Sequence, residues 1–177
     1  TFVRHLIAEL SKDDYQHHFL SFQDGPFLKE LEDSGVSCHL ISTKRPFNFF
    51  KWSKVKSLLK LIKPNIVHMH GTRAASNTLV ASNGLSIPTL YTVHAWSWHP
   101  GQTYFQSLFR KVSERFISRQ AKMTVCGSFS DKNIGEKMLG ARVDRVVHNS
   151  IPKPKPSQLN KSVVRSEIGL EPDDFVV

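Results

Sequence analysis

Histidines at the ends of two apolar segments are the residues whose spacing could support chemistry. His68 and His70 stand two positions apart in the segment NIVHMHG, and His94 follows the apolar segment TLYTV. In a strand, side chains two positions apart point to the same face. The pattern therefore predicts either a set of metal ligands or the rim of a substrate site.

A metal site would need further ligands, which the sequence does not place beside these histidines. A histidine pair on one strand with another histidine on the next is typical of the first ligands of metal-dependent hydrolases. Such sites also use carboxylates, and the residues that follow the predicted strands include no Asp or Glu. We predict no metal site, and a metal-dependent hydrolase that uses His68 and His70 remains the alternative. His68 lies deeper in its strand, where we expect it to pack and to hydrogen-bond the backbone.

Strand and helix patterns alternate along the chain, which is typical of an α/β fold. The first residues, from Phe2 to Leu10, have apolar side chains at helical spacing, and no strand pattern precedes them. Strand patterns then follow, separated by helical patterns that include a lysine-rich helix from about Phe50 to Ile62. Right-handed crossovers would place the strands in one parallel β-sheet flanked by helices on both faces.

A change of composition near residue 150 marks a domain boundary. The segment SIPKPKPSQLN is rich in proline, which removes backbone donors and fixes an extended path. A short helical pattern and the segment EPDDFVV follow it. We predict an α/β domain over residues 1–151 whose first strand is missing. Residues 152–177 would be a linker and the truncated start of a second domain.

Small and polar residues follow the predicted strands at one edge of the sheet. In an open parallel sheet, ligands bind outside the carboxyl ends of the strands, where helix N-termini offer unpaired N–H groups. The residues in these positions are Ser42, Thr43, His70, Gly71, Thr72, His94, Ala95, Trp96, Gly127, Ser128, His148, Asn149 and Ser150. We expect a polar cleft that hydrogen-bonds hydroxyls and phosphates, with Thr72 and Ser128 serving first as helix caps.

The charge balance favours anionic partners. Lysine and arginine number 24 against 15 for aspartate and glutamate, a net charge of +9, which suits nucleic acid, phosphorylated ligands or an acidic membrane surface. The lysine-rich helix has an apolar stripe that could pack on the sheet and a lysine face that could meet an anionic membrane. The lysines in question are Lys51, Lys54, Lys56, Lys60 and Lys63.

Other features bear on location and on the remaining classes of protein. No apolar window is long enough to cross a bilayer and no signal peptide is visible, so we expect a cytoplasmic protein. Cys38 and Cys126 are far apart and form no CxxC motif, which predicts small core residues rather than a disulfide framework. Beyond the charge, no helix-turn-helix, zinc or RNA-binding motif supports the nucleic-acid alternative.

Six segments, in this order, resemble the N-terminal domain of glycosyltransferase family 4, which has the GT-B fold. They are TFVRHLIAEL, KPNIVHMHG, PTLYTVHAW, KMTVCGSFSD, RVVHNSIP and VRSEIGLEPDDFVV. The family often has Asn-Gly where this chain has Asn149 and Ser150. The resemblance implies two Rossmann-like domains that face each other across a cleft. The N-terminal domain would hold the acceptor and the second domain the nucleotide-sugar.

The resemblance also implies a reaction and roles for particular residues. A sugar would pass from a nucleotide-sugar to a glycan, lipid-linked or other cell-envelope acceptor, with retention of the anomeric configuration and without a metal or another cofactor. His94 matches the family's strand-end histidine and is the predicted catalytic residue. The predicted substrate contacts are His70, Gly71, Thr72, Trp96, Ser128 and Asn149. The fragment alone would be inactive, and the enzyme would be cytoplasmic or peripheral on the inner face of a membrane.

Overall fold

Helices and strands alternate through residues 2–10, 13–149, 161–171 and 174, which the computed structural model describes. The helices are α1 (Phe2–Glu9), α2 (Pro26–Asp33), α3 (Phe49–Ile62), α4 (Gly71–Asn83), α5 (Tyr104–Gln120), α6 (Phe129–Ile134) and α7 (Lys161–Glu167). The strands are β1 (His18–Ser21), β2 (Ser37–Leu40), β3 (Val67–His70), β4 (Thr89–Val93), β5 (Met123–Cys126) and β6 (Arg145–Val146). A π-helical turn over Gly135–Leu139 continues α6. The predicted proline-rich linker lies outside the described residues.

The strands in the described part of the chain form two parallel sheets rather than the predicted single sheet. β1 pairs with β2, and β3, β4, β5 and β6 follow one another in a second sheet. Side chains of β1, β3 and α1 line a cavity of about 1410 Å³. The predicted α/β class, with parallel strands flanked by helices, is confirmed. The prediction of one sheet was wrong because no described strand lies between β1 and β3 to join them.

The main core lies between the four-stranded sheet and helices α4 and α5. Met69 of β3 and Tyr91 of β4 pack with Ile117 of α5, and all three side chains are almost fully buried. Cys126 belongs to this core, as predicted, whereas Cys38 is only half-buried. Both thiols are free. The strands of this sheet therefore hold a fixed edge on which loop residues can be placed.

Helix α3 packs its apolar stripe on the fold and turns lysines towards solvent. Val55 and Leu59 are buried in a second cluster with Phe22 and with Ala81 of α4. The exposed lysines of this segment are Lys54, Lys56, Lys60 and Lys63. The packing confirms that the stripe belongs to a crossover helix, and membrane contact by the lysines stays a prediction. None of the helices in the described ranges is long and apolar enough to span a membrane.

Candidate functional site

The carboxyl edge of the four-stranded sheet brings His70 and His94 together. β3 and β4 pair in parallel with His70 opposite Thr92, so His94 lies just beyond the paired end. Nδ1 of His70 is 3.1 Å from Nε2 of His94, and the two rings are stacked with centroids 5.4 Å apart. The sequence predicts both residues at one edge, and the structure places their side chains in direct contact.

Burial favours the neutral form of both histidines in this pair. It lowers the pKa of His70 to about 3, and the charges of His68 and His94 act in the same direction. Burial also lowers the pKa of His94. In a pair of neutral imidazoles, one ring donates an N–H and the other accepts it. The second nitrogen of each ring then remains for another hydrogen bond, such as one to a ligand hydroxyl.

His68 lies behind the pair and makes a structural contact. Its Nε2 is 2.7 Å from Oγ1 of Thr92, and its ring centroid is 4.0 Å from that of His70. Burial, followed by the charge of His94, lowers the pKa of His68 to about 4. The predicted backbone partner is wrong, because the neighbouring strand presents the Thr92 hydroxyl at this position. Within the described residues, no three His, Cys, Asp or Glu side chains are grouped so as to hold a metal ion.

The ring of Phe2, at the start of α1, packs against the histidine pair. Its centroid is 5.7 Å from that of His70 and 5.2 Å from that of His94. Sequence reasoning missed this contact because Phe2 is distant in the chain and its helical spacing predicts only an apolar stripe. An aromatic ring therefore covers one side of the pair, in which His70 is half-buried and His94 is exposed.

Helix α4 starts directly after His70 with a glycine that requires a left-handed backbone. Gly71 has φ of 76°, a region that favours glycine, and a Cβ there would meet no heavy atom within 4 Å. Thr72 does not cap the helix as predicted. Its hydroxyl donates to Oε1 of Glu114 at 2.7 Å, and the N-cap residue is His70, which makes no side-chain cap bond. The space beside Gly71 stays open at the sheet edge.

Glu114 of α5 is a residue of this edge that sequence reasoning missed. Its side chain is 0% exposed. Oε1 accepts hydrogen bonds from the Thr72 hydroxyl and from the backbone N–H of Ser97 (3.0 Å), and Oε2 accepts one from the Tyr91 hydroxyl at 2.9 Å. Burial first, and then the charge of Glu114, raises the pKa of Tyr91 above its usual range. Its spacing in the sequence could have revealed it, because Glu114 lies three residues before the buried Ile117 and residues three apart share one face of a helix.

The sequence predicts Trp96 as a substrate contact, whereas the structure buries its indole. Nε1 of Trp96 donates to the backbone oxygen of Asp131 at 2.8 Å. The ring packs so closely on Gly135 that a Cβ there would lie 2.3 Å from Cζ2 of the indole. An aromatic residue in a loop can be drawn into the core when a glycine makes room for it, as here. Contact of Trp96 with a substrate stays a prediction.

The ends of β5 and β6 meet through Gly127 and Asn149. A Cβ on Gly127 would lie 3.7 Å from Nδ2 of Asn149. Ser128 caps α6 as predicted, because its hydroxyl oxygen accepts from the N–H of Asp131 at 3.0 Å and its hydroxyl donates to Oδ2 of Asp131 at 2.6 Å. Contact of Ser128 and Asn149 with a substrate stays a prediction. Ser150 lies outside the described residues.

The cavity reaches this edge, where cationic side chains contribute to its lining. Lys44, Arg73 and Arg110 line it together with His70 and Thr72. Guanidinium and ammonium groups form charge-assisted hydrogen bonds with phosphate oxygens. The cavity lining therefore combines the imidazole of His70, which suits hydroxyls, with cations that suit phosphates, whereas His94 is not one of the lining residues.

Comparisons with known proteins identify the family. A family model described as Glycosyltransferase Family 4 matches residues 1–153. No curated protein sequence matches this one at a significant level. The matched range includes the whole sheet edge and both of its histidines.

Three solved structures share the fold. HepE from Anabaena, solved with UDP and glucose, has a TM-score of 0.65 at 19% identity over 86% of this chain and 42% of HepE. A glycosyltransferase from Rickettsia africae has a TM-score of 0.68 at 16% identity over 90% and 43%. MurG from Acinetobacter baumannii has a TM-score of 0.58 at 17% identity over 85% and 41%. The chain thus spans about two fifths of their length.

Proposed function

The chain belongs to Glycosyltransferase Family 4, and on that premise we propose that it forms the acceptor side of a retaining glycosyltransferase. The enzyme transfers a sugar from a nucleotide-sugar to a glycan, lipid-linked or other cell-envelope acceptor. Family membership favours this function over the metal-dependent hydrolase and the nucleic-acid module. The observation that carries the proposal is the contact between the His70 and His94 rings at the carboxyl edge of the sheet.

In the proposed reaction, one bond at the anomeric carbon replaces another. The bond to the donor phosphate oxygen breaks, a bond to an acceptor hydroxyl oxygen forms, and the hydroxyl proton leaves with the departing nucleotide. His94 is the residue proposed to touch the transferred sugar, because its neutral ring can hydrogen-bond a sugar hydroxyl and so hold the anomeric carbon towards the acceptor. His70 orients His94 through their hydrogen bond and adds a contact through its second nitrogen.

The charge that develops on the departing phosphate is proposed to be stabilised by this chain's cations and backbone donors. Lys44, Arg73 and Arg110 line the cavity that includes Gly71. The first N–H groups of α4, which starts at Gly71, lack helical partners and can bind an anion. HepE, which shares the fold, was solved with UDP and glucose, and this supports a nucleotide-sugar donor. The proposal includes no metal and no other cofactor.

We propose that a second domain completes the site. The chain covers only 41–43% of the solved structures that share its fold. A second Rossmann-like domain would bind the donor and face the His70–His94 edge across a cleft. Residues 1–177 alone would then not transfer sugar, and transfer by the purified 177-residue chain would contradict this part of the proposal.

The proposed location is the cytoplasm, with peripheral attachment to the inner face of a membrane. The net charge of +9 and the exposed lysines of α3 support attraction to an anionic surface. Each lysine near such a surface contributes about 1 kcal/mol. A membrane-bound acceptor would place the enzyme in cell-envelope polysaccharide biosynthesis, with no nucleic-acid partner.

The test is turnover of a panel of nucleotide-sugars by the full-length protein, with and without EDTA. We expect EDTA to leave turnover unchanged and His94→Ala to lower it on the order of 100-fold, since loss of substrate orientation has effects of that size. His99→Ala is the matched control, because His99 is also exposed and lies in the loop after β4, where its Nδ1 is 2.9 Å from the backbone oxygen of Pro100. Absence of turnover with every nucleotide-sugar, or loss of turnover in EDTA, would contradict the proposal.

A further inference from the structure

The carboxylate of Glu114 connects the two segments that carry the proposed site. Its Oε1 atom accepts from the Thr72 hydroxyl at 2.7 Å and from the backbone N–H of Ser97 at 3.0 Å. Thr72 belongs to the first turn of α4, whose N-cap is His70, and Ser97 lies three residues after His94. A single oxygen atom therefore holds the start of α4 and the loop after β4 at a fixed separation.

Both backbone groups of Ser97 are bonded, and α5 supplies a partner for each. The backbone oxygen of Ser97 accepts from Nη1 of Arg110, on α5, and from Nε2 of Gln102 at 3.1 Å. The N–H of Ser97 has Glu114 as its partner. His94 directly follows β4 and so lies between a paired strand and this anchored residue. A shift of Ser97 relative to α4 would therefore move the His94 ring.

Stability alone does not explain a carboxylate at this position. Glu114 is fully buried, and no ion pair within the described residues includes it. Burying a carboxylate carries a desolvation penalty, and well-packed apolar side chains of similar volume are often as stable or more stable than buried charges. Residues that take part in catalysis, by contrast, need neighbours whose hydrogen bonds lock them in one geometry. A positioning role gives this buried carboxylate a function that packing does not.

We propose that Glu114 is a positioning residue, which fixes the loop after β4 against the first turn of α4 and so orients His94 towards the transferred sugar. Glu114 acts through Ser97 and Thr72 and is not one of the residues that line the cavity. A misplacement of about 1 Å can cost a factor of about 100 in rate, so Glu114 affects turnover without touching the substrate. The kinetic part of this inference rests on the proposed function, whereas the link between Glu114 and the His94 ring does not.

The test compares two variants that place the acceptor oxygen differently. Glu114→Asp keeps the carboxylate but withdraws it by about 1.5 Å, the length of one C–C bond, whereas Glu114→Gln keeps an acceptor oxygen in place. NMR spectra of the full-length protein with isotope-labelled histidine report on the rings without any ligand. We expect Glu114→Asp to shift the ring signals of His70 and His94 and Glu114→Gln to leave them close to those of the wild type. The signals of His18 and His39, which contact each other on the other sheet, are the internal reference and should not move.

Turnover of the nucleotide-sugar that the wild type uses gives a kinetic measurement. Glu114→Asp should lower kcat at least about tenfold and change KM by less than about threefold, because the lost orientation acts in the transition state. In the His94→Ala background it should lower kcat by no more than about twofold, since residues that act through one another are not additive. Tyr91→Phe is the matched control, because it removes the third donor to Glu114 but leaves both bonds of Oε1. Its kcat and its His94 signals should match those of the wild type.

Four results would overturn the proposal. The His94 signals are unchanged in Glu114→Asp, Glu114→Gln or Tyr91→Phe shifts them as far as Glu114→Asp does, or Glu114→Asp lowers kcat equally with and without His94. Each would show that the carboxylate contributes to stability without setting the position of His94. If the wild type turns over no nucleotide-sugar, the proposed function fails, and the ring signals still decide whether Glu114 positions His94.

Discussion

Replacing Glu114 by alanine removes the acceptor that joins α5 to the sheet edge. The Thr72 hydroxyl, the Tyr91 hydroxyl and the Ser97 N–H each lose a partner. Leaving a buried donor unpaired costs about 1–3 kcal/mol, so three donors set an upper bound of about 9 kcal/mol. Removing a buried carboxylate also removes its desolvation penalty of several kcal/mol. We expect the free energy of unfolding to fall by about 2–4 kcal/mol.

Glu114→Gln is the matched variant for this prediction. Its amide oxygen can still accept from Thr72 and Ser97, and its NH₂ group can donate to the Tyr91 hydroxyl, so we expect a loss of only about 1 kcal/mol. The shift of the urea unfolding midpoint measures both losses, provided that the dependence of the free energy of unfolding on urea concentration is the same in each variant. Amide exchange should rise over residues 94–102 in the alanine variant, because Glu114 holds this loop through Ser97. Equal losses for the two variants, or unchanged exchange in the loop, would show that the Glu114 carboxylate does not join α5 to the sheet edge.

Two further predictions concern pH and glycine. In the folded protein the pKa of His68 is about 4 and that of His70 about 3, against 6.5 in the unfolded chain. The unfolded chain therefore binds protons first, and the free energy of unfolding falls as the pH decreases below about 6.5. The urea midpoint should drop less between pH 7 and 5 in His68→Gln than in the wild type, and an equal drop would contradict this. Gly135→Ala should lower the free energy of unfolding by about 1–3 kcal/mol, because the added Cβ clashes with Trp96. Gly71→Ala should lower it by about 1–2 kcal/mol, because alanine disfavours the positive φ at this position. A thermal midpoint equal to that of the wild type would contradict the prediction for that variant.

The alternation of helices and strands could be predicted from the sequence because each element carries a local pattern. TLYTV is an apolar, β-branched run and forms β4, and the stripe through Val55 and Leu59 packs α3 on the fold. The division into two sheets could not be predicted in the same way. Pairing depends on which strand edges are neighbours in space, and the pattern of a single segment does not contain that information.

The histidine pair could be predicted because carboxyl ends of neighbouring parallel strands must lie at one edge. His70 and His94 follow from that rule alone. The partners of Trp96, Thr72 and Glu114 could not be predicted, because tertiary packing decided them. The indole fills the space that Gly135 leaves, and the Thr72 hydroxyl bonds to a buried carboxylate on another helix instead of capping its own.

The role proposed for His94 is tested by a crystal structure of the full-length protein with the nucleotide-sugar that the turnover panel identifies. We expect a sugar hydroxyl within about 3.2 Å of a ring nitrogen of His94, with the His70–His94 hydrogen bond intact. A donor sugar bound away from the carboxyl edge of the four-stranded sheet, or a metal ion held by His70 and His94, would contradict it.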